Sequence, residues 1–297
     1  MSNISTDFGV LILGFNRPGL LNQTLTALSE NAELSQRVGF LSLDGPRDSL
    51  DVESAKKSRE VFSGFEGSFG QVHKFYEDSN IGLRNKVIQG VTRALNEVDN
   101  LLVLEDDCLV GPSTFGYFQY GFDWLEKQKL GVVSGSYLGN EKSDGAFVAN
   151  RFSSWGWGTN KETWKKFLSH PFSQIPLVDL NSEIRRLTRN DPLPYRYEYK
   201  QITKNLEKLN SWAIPFDMFL RDQQIKTLKP TVNQIQNIGF GYEATHTSRG
   251  NSLSIPAEYI NIGSMTLAEE KTSSKIEKRE AWSKFSKLAR ERLFAKG

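Results

Sequence analysis

Three carboxylates stand side by side at Glu105-Asp106-Asp107, directly after the aliphatic run Leu101-Leu102-Val103-Leu104. Like charges this close repel, and at the end of a buried strand they also lose hydration, so a cation relieves the arrangement. A hard divalent ion such as Mg2+ or Mn2+ wants oxygen ligands. It often takes only one or two from protein and the rest from substrate phosphates and water. The carboxyl ends of strands in open α/β sheets are also where ligands bind. The stretch therefore points to a metal–diphosphate site. Its plainer reading is an acidic turn after a core strand, and the triplet alone does not separate the two.

Other polar residues sit at comparable junctions. Asp44 follows the apolar segment 38–43. It stands where a carboxylate accepts from a ribose hydroxyl or a base N–H, or simply makes an Asp-Gly-Pro turn. Arg84 and Lys86 fall in the first turn of a helix that begins after Asn80-Ile81-Gly82. Positive charge there opposes the helix dipole, a conflict that a nearby anion relieves and that solvated side chains bear at a small cost. Trp155-Gly156-Trp157-Gly158 offers flat aromatic faces suited to sugar rings, or equally two core aromatics. Asp217 follows Pro215-Phe216 near a helix start, in place for a general base or for a helix cap. His246 lies in a polar, Gly-flanked loop, which suits ligand contact better than core packing; His73 and His170 have no such context.

These residues need elements to position them. Residues 8–15 read as a buried strand, broken by Asn16-Arg17-Pro18-Gly19, with Pro18 in the first turn of a helix and Asn16 as its cap. Strands are expected over 38–43, 72–76, 101–104 and 132–137, with helices from 51, 83 and 112 between them. Strand and helix alternate, which argues a mostly parallel sheet, but no G-x-G-x-x-G follows the first strand. The second half is less regular: a strand over 147–154, a helix from 160, charged helical residues from 177 to 210 interrupted by Pro192 and Pro194, and a last strand over 231–240.

With 297 residues, 38% of them hydrophobic and including 19 Phe and 6 Trp, the chain can build a substantial core. Its formal net charge of +2 argues against general nucleic-acid affinity. Cys108 is the single cysteine, which excludes an intrachain disulfide and a thiolate metal cluster and fits a reducing compartment. Residues 1–7 are polar, and no apolar run approaches the ~20 residues of a membrane span, so a soluble, cytoplasmic protein is expected. From Glu269 the chain reads as a basic amphipathic helix with Trp282, Phe285, Ala289 and Leu293 on one face. Such a tail either packs on the domain or lies on a membrane surface as a peripheral contact.

Together these residues resemble a GT-A-fold, nucleotide-sugar-dependent glycosyltransferase, and specifically the N-acetylglucosaminyltransferase I family in a form without a membrane anchor. The resemblance covers residues 8–249 and is strongest at Glu105-Asp106-Asp107, a match to that family's Glu-Asp-Asp variant of the Asp-x-Asp metal motif. It implies an α/β, Rossmann-like sheet in a single domain over 1–265, with a nucleotide-binding half (1–140), an acceptor-side half (141–265) and a helical tail (266–297). By that resemblance Asp107 binds the divalent metal, Mn2+ or Mg2+, and Asp106 sits near the ribose or a metal water. Arg17 contacts the nucleotide and Asp44 reads the uracil. Arg84 faces the nucleotide, where the family usually has His. Gly156-Trp157 matches a pair at the donor-sugar side, so Glu105, Trp155, Gly156 and Trp157 are expected around the donor or acceptor sugar. Phe216-Asp217-Met218-Phe219-Leu220-Arg221 resembles the segment whose Asp is the catalytic base, although the family has two adjacent Asp and a Trp there. Thr245-His246 resembles a Ser-His pair whose His touches metal or diphosphate.

The implied activity is inverting transfer from a nucleotide sugar, UDP-N-acetylhexosamine first, to a hydroxyl of a glycan or of a lipid-linked or protein-linked glycoconjugate. Two other classes stay open. A sugar nucleotidyltransferase would carry a Gly-rich basic loop after the first strand, which Gly14-Phe15-Asn16-Arg17-Pro18 matches poorly. A catalytically silent sugar-nucleotide binding module would bind UDP-sugar without releasing UDP.

Overall fold

The computed structural model of the chain describes residues 8–141, 143–240 and 253–294, the side chains of 290–294 excepted. β1 (Gly9–Gly14), α1 (Pro18–Ser29), β2 (Val38–Leu43), α2 (Val52–Phe65), β3 (Gln71–Tyr76), α3 (Leu83–Glu97) and β4 (Asn100–Glu105) follow in turn. β1 lies between β2 and β4, and β3 flanks β2, all parallel. The period-two geometry of a strand explains why β1 is apolar throughout. Val10 and Ile12 enter the core beneath α1, α2 and α4 (Thr114–Gln128), whereas Leu11 and Leu13 enter the core beneath α3.

The rest of the chain adds β5 (Cys108–Val110), β6 (Val132–Ser134), β7 (Gly145–Ala149), β8 (Trp157–Asn160), α5 (Lys161–Ser169), α6 (Asn181–Leu187) and α7 (Leu193–Thr203). It closes with α8 (Ala213–Asp222), β9 (Thr227–Pro230), β10 (Ile235–Asn237), β11 (Thr266–Leu267) and α9 (Glu270–Phe294). Nine strands form one sheet in the order β11-β7-β9-β6-β8-β4-β1-β2-β3, while β5 and β10 pair as a separate ribbon. Five of the eight pairings in the large sheet are parallel, so the expected α/β class with a mostly parallel sheet is present.

Three expected strands differ from the observed ones, each for a local reason. The 132–137 strand ends at Ser134, and beyond it Tyr137 N donates to Asn233 Oδ1 (2.8 Å); the 101–104 run, by contrast, closes at the carboxylates as expected, β4 staying in the main sheet and β5 pairing with β10. The 147–154 strand ends at Ala149, because the N–H groups of Asn150 and Arg151 donate to Glu277 of α9 instead of to a neighbouring strand. The 231–240 strand shrinks to β10 because side chains take over the ladder. Thr231 Oγ1 donates to Gly145 O (2.9 Å), and the amides of Asn233 and Gln234 bond carbonyls at Ile255 and Glu258.

α9 lies against β7 through a mixed face: Ile276 packs with Tyr137, Phe147 and Ala149, Ser273 Oγ accepts from Val148 N, and Glu280 pairs with Lys229 at 2.7 Å. Of the face expected to pack, Trp282 and Phe285 are exposed; Ile276, Ala281 and the Glu280–Lys229 pair dock this helix instead. Glu198 of α7 joins it to the domain through Arg151 (2.7 Å) and Lys284 (2.9 Å). Loss of hydration alone would raise the Glu198 carboxyl, but those two cations outweigh it and hold it at about 2. A carboxylate depressed in the folded state contributes stability that is fully present above its ordinary value of 4.5 and is lost as pH falls through about 2. Amide exchange in α9 is accordingly expected to accelerate between pH 4.5 and 2 before that of β1 and β4. Simultaneous loss of protection in all three would overturn this account of the docking. Among the described residues no helix is long and apolar enough to cross a membrane.

Candidate active site

The parallel strands run β3-β2-β1 in one direction from β1 and step to β4 on its other side, which makes the β1/β4 junction the point where the strand order reverses. Ligands of open α/β sheets collect at the carboxyl ends of such a junction. A cavity of about 880 Å³ opens there, lined by the β1–α1 turn, the end of β2, the start of α3 and the Glu105-Asp106-Asp107 turn. The turn is fixed from both sides: Thr24 Oγ1 of α1 donates to Asp106 O (3.0 Å), and Ile238 N, just beyond β10, donates to Asp107 O (2.9 Å).

Arg17 supplies the counter-charge. Its guanidinium forks onto both oxygens of Asp106 and reaches Asp107 Oδ2 at 3.1 Å. One cation against three carboxylates leaves an excess of negative charge. Loss of hydration, then Asp107 and Asp106, pushes Glu105 up to about 8, against the pull of Arg17. Loss of hydration likewise pushes Asp106 up to about 6, Arg17 again opposing. Asp107 Oδ1 accepts from Asn237 Nδ2 at 3.3 Å. Gly239 is pressed so close that a Cβ there would lie 2.0 Å from Asp107 Oδ2.

Opposite the acids the cavity meets two helix starts. Neither α1 nor α3 has a side-chain cap, and Pro18, Gly82 and Leu83 at their first turns line the cavity. Uncapped helix N-termini present N–H groups and positive dipole ends, which favour anions.

Of the residues singled out from sequence, Arg17, Asp44, Glu105, Asp106, Asp107 and Trp155 line this cavity. Asp44 does so with its carboxylate already engaged. Oδ1 accepts from Gly45 N and Ile81 N, and Oδ2 from Asn80 Nδ2 and Gly82 N, all at 2.9–3.1 Å. It shapes the turn into α3. Arg84 turns away from the cavity: its guanidinium donates to Ser173 O (2.8 Å) and Ile175 O, tying α3 to the 171–175 segment and correcting its expected place on the nucleotide. Burial lowers the pKa of this guanidinium. Asn16 does not cap α1; it donates to Asp51 Oδ1 (2.6 Å).

The two tryptophans separate. Trp157 is 1% exposed and stacks on Trp212 at 4.9 Å within a cluster that includes Phe152, Trp164 and Phe216, so its expected place on the sugar is corrected to the core. Trp155 stays on the cleft, edge-on to Phe240 at 5.5 Å. Gly156 makes the switch: its φ is +58°, a conformation side chains disfavour, and a Cβ would fall 2.5 Å from Ile235 Cγ1. Gly156→Ala is expected to cost about 1–3 kcal/mol, the range of a strained φ, measurable as a lower midpoint in urea. An unchanged midpoint would mean that the turn tolerates a side chain.

Asp217 neither opens its helix nor lines the Asp107 cavity. It stands in the body of α8, 5% exposed, where Oδ1 accepts from Phe152 N (3.2 Å) and Oδ2 from Tyr199 Oη and Arg221 Nε (3.2 Å). Among the described residues it accepts no backbone N–H of α8, which removes the cap role, and it lines a second cavity of about 230 Å³. Trp155 is a wall of both cavities. His246 lies outside the described residues.

Several site residues had no sequence signal. Asn237 and Gly239 reach Asp107 from a ribbon whose pairing with β5 only the fold reveals. Lys86 was visible as a first-turn cation but is in fact buried, its Nζ donating to Phe75 O (2.7 Å) and Glu77 Oε1 (3.2 Å). Burial lowers its pKa, Glu77 opposing.

No protein-family model and no curated protein matches the chain. Among solved structures, the mannosyltransferase PcManGT from Pyrobaculum calidifontis, in complex with GDP-Man and Mn2+, is 13% identical over 71% of this chain and 72% of its own, with a TM-score of 0.42. A cytidylyltransferase from Leptospira borgpetersenii is 14% identical over 68% of this chain and 73% of its own, TM-score 0.37. S. aureus TarS is 12% identical over 42% of this chain, which spans only 20% of TarS, TM-score 0.33. With TM-scores below 0.5, none of these likenesses extends to chemistry.

Proposed function

We propose that the chain is a nucleotide-sugar-dependent glycosyltransferase of GT-A type, transferring a sugar with inversion from a UDP-sugar, UDP-N-acetylhexosamine first, to a hydroxyl of a glycan or glycoconjugate. One observation carries this: a carboxylate cluster with an excess of negative charge faces two uncapped helix N-termini across one cavity at the sheet's reversal point. That arrangement suits a ligand that brings both signs of charge, a diphosphate with a divalent cation. The cation fits by charge, since three carboxylates share Arg17. It also fits by room, since the cavity that Asp107 and Glu105 line is about 880 Å³. Among the described residues no three His, Cys, Asp or Glu form a cage, so the ion would take one or two oxygens from Asp107 and Glu105 and the rest from diphosphate and water. When bound, such an ion neutralises charge on the leaving diphosphate.

The chain's own residues supply the rest. Arg17 and the α1 and α3 termini hold the diphosphate. Asp217 is the proposed base: its Oδ1 accepts one N–H among the described residues and has a lone pair free for an acceptor hydroxyl. The acceptor oxygen bonds to the anomeric carbon, the bond from that carbon to the diphosphate oxygen breaks, UDP leaves, and the hydroxyl proton passes to Asp217. A thermal-shift screen of nucleotide sugars with and without Mn2+, followed by assay of UDP release, tests the reading. Stabilisation by UDP-sugar only with the cation, and UDP release with an acceptor, is expected. Binding without turnover would favour the silent module, and pyrophosphate-dependent exchange the nucleotidyltransferase.

The outward side of α9 supports a peripheral membrane contact while the helix stays docked. Trp282 (50% exposed), Phe285 (38%) and Tyr197 of α7 (43%) form one ring cluster at 5.9 and 6.0 Å, with Arg196, Lys200, Lys275 and Lys278 exposed on the same two helices. Aromatic rings beside cations suit the interface of an anionic bilayer. Trp282→Ser with Phe285→Ser is expected to abolish sedimentation with phosphatidylserine vesicles and to leave UDP binding intact; sedimentation equal to wild type would remove this contact.

A further inference from the structure

We infer that the second cavity binds one uncharged sugar ring as the acceptor, and that α9 is one of its walls. This rests on the nucleotide-sugar reading and specifies what the transferase accepts. The cavity adjoins the nucleotide cavity at Trp155, which lines both. Its volume of about 230 Å³ is roughly a quarter of the 880 Å³ of the nucleotide cavity, which suits one small ligand rather than a nucleotide sugar.

The charges around it cancel. Arg151 and Lys284 share Glu198, Lys229 holds Glu280, and Asp217 pairs with Arg221, which also holds Asp191. Among the residues that line the cavity, three cations (Arg151, Lys229 and Lys284) thus meet three carboxylates (Glu198, Asp217 and Glu280). An ionic ligand would enter without a counter-charge of its own and lose hydration uncompensated. A hydroxyl-rich neutral ring meets no such cost.

Specific hydrogen-bonding capacity is left over. Arg151 Nη1 is buried and has no hydrogen-bond partner among the described residues. The guanidinium is held in place, its Nη2 donating to Glu198 (2.7 Å) while its plane lies over Tyr195 and Tyr199 at 4.2 and 5.1 Å. A buried donor fixed in this way is satisfied by a ligand oxygen. Trp155 adds an aromatic face for the C–H side of a sugar. α9 contributes Glu280 and Lys284 to the wall, so the helix that reads from sequence as a tail completes the cavity.

Saturation-transfer NMR on the full chain, without nucleotide, tests this with methyl glycosides of glucose, galactose, mannose and N-acetylglucosamine against methyl glucuronide and glucose 6-phosphate. Two variants accompany wild type. Arg151→Lys keeps a cation for Glu198 but removes Nη1; Ala213→Leu fills the cavity and touches none of its ion pairs. At least one neutral glycoside is expected to bind wild type, with each variant weakening it by roughly tenfold or more and UDP affinity by calorimetry unchanged. The inference is overturned if no neutral glycoside binds, if the anionic sugars bind better, or if both variants bind as wild type does. Absence of UDP binding to wild type would instead overturn the nucleotide-sugar reading, and the glycoside data would still decide the cavity.

Discussion

Asp107→Ala is expected to lose cation-dependent UDP binding while the fold stays as stable as before or gains stability. Binding should fall by roughly 100-fold or more, since even residues that only support a metal ligand cost 10–100-fold when removed. Stability should not fall, because Asp107 is one of the charges that push Glu105 up, and Arg17 keeps Asp106 as its partner. The same cluster fixes a pH dependence. Carboxyls raised in the folded state make the native protein bind more protons than the unfolded chain, so their contribution worsens as pH rises: from 4.5 to about 8 for Glu105 and from 3.8 to about 6 for Asp106. A divalent cation competes with those protons, so the Mn2+-induced rise in melting temperature should be larger at pH 8.5 than at pH 5.5. If the turn is merely acidic, Asp107→Ala leaves UDP binding as it was and Mn2+ shifts the melting temperature of neither protein.

The first half was legible in the sequence because each signal there is local. An aliphatic run buried on both faces, as in β1 and β4, needs no partner to be recognised, and a polar turn at its end marks where a ligand sits. The second half was less legible because its strands are decided by partners far away in the chain. Glu277, more than 120 residues on, ends the segment after β7 by taking two N–H groups. Gly156 illustrates the same limit. Trp155 and Trp157 look equivalent in sequence, and only a positive φ between them sends one to the cleft and the other to the core. The resemblance implies a nucleotide contact for Arg84, but a side chain that long reaches carbonyls on another segment, which periodicity does not reveal.

Asp217→Asn is expected to reduce transfer by roughly 10²–10⁴-fold, the usual share of a general base. The substitution keeps size and an acceptor oxygen for Phe152 N, so the α8 backbone has no reason to move. It removes the negative charge that Arg221 Nε meets at 3.2 Å, although Arg221 retains Asp191 at 2.8 Å. A stability loss of about 1–3 kcal/mol follows from a weakened charge-assisted hydrogen bond in a buried site. The two effects must therefore be separated, by measuring transfer per folded molecule well below the melting temperature. UDP affinity should be unchanged, because Arg17, Asp106 and Asp107 line the other cavity. If Asp217 only anchors Tyr199 and Arg221, the melting temperature drops while transfer per folded molecule stays near wild type, and the base must be sought elsewhere. If it takes the acceptor's proton, transfer collapses at temperatures where the variant is fully folded and still binds UDP as tightly as the parent.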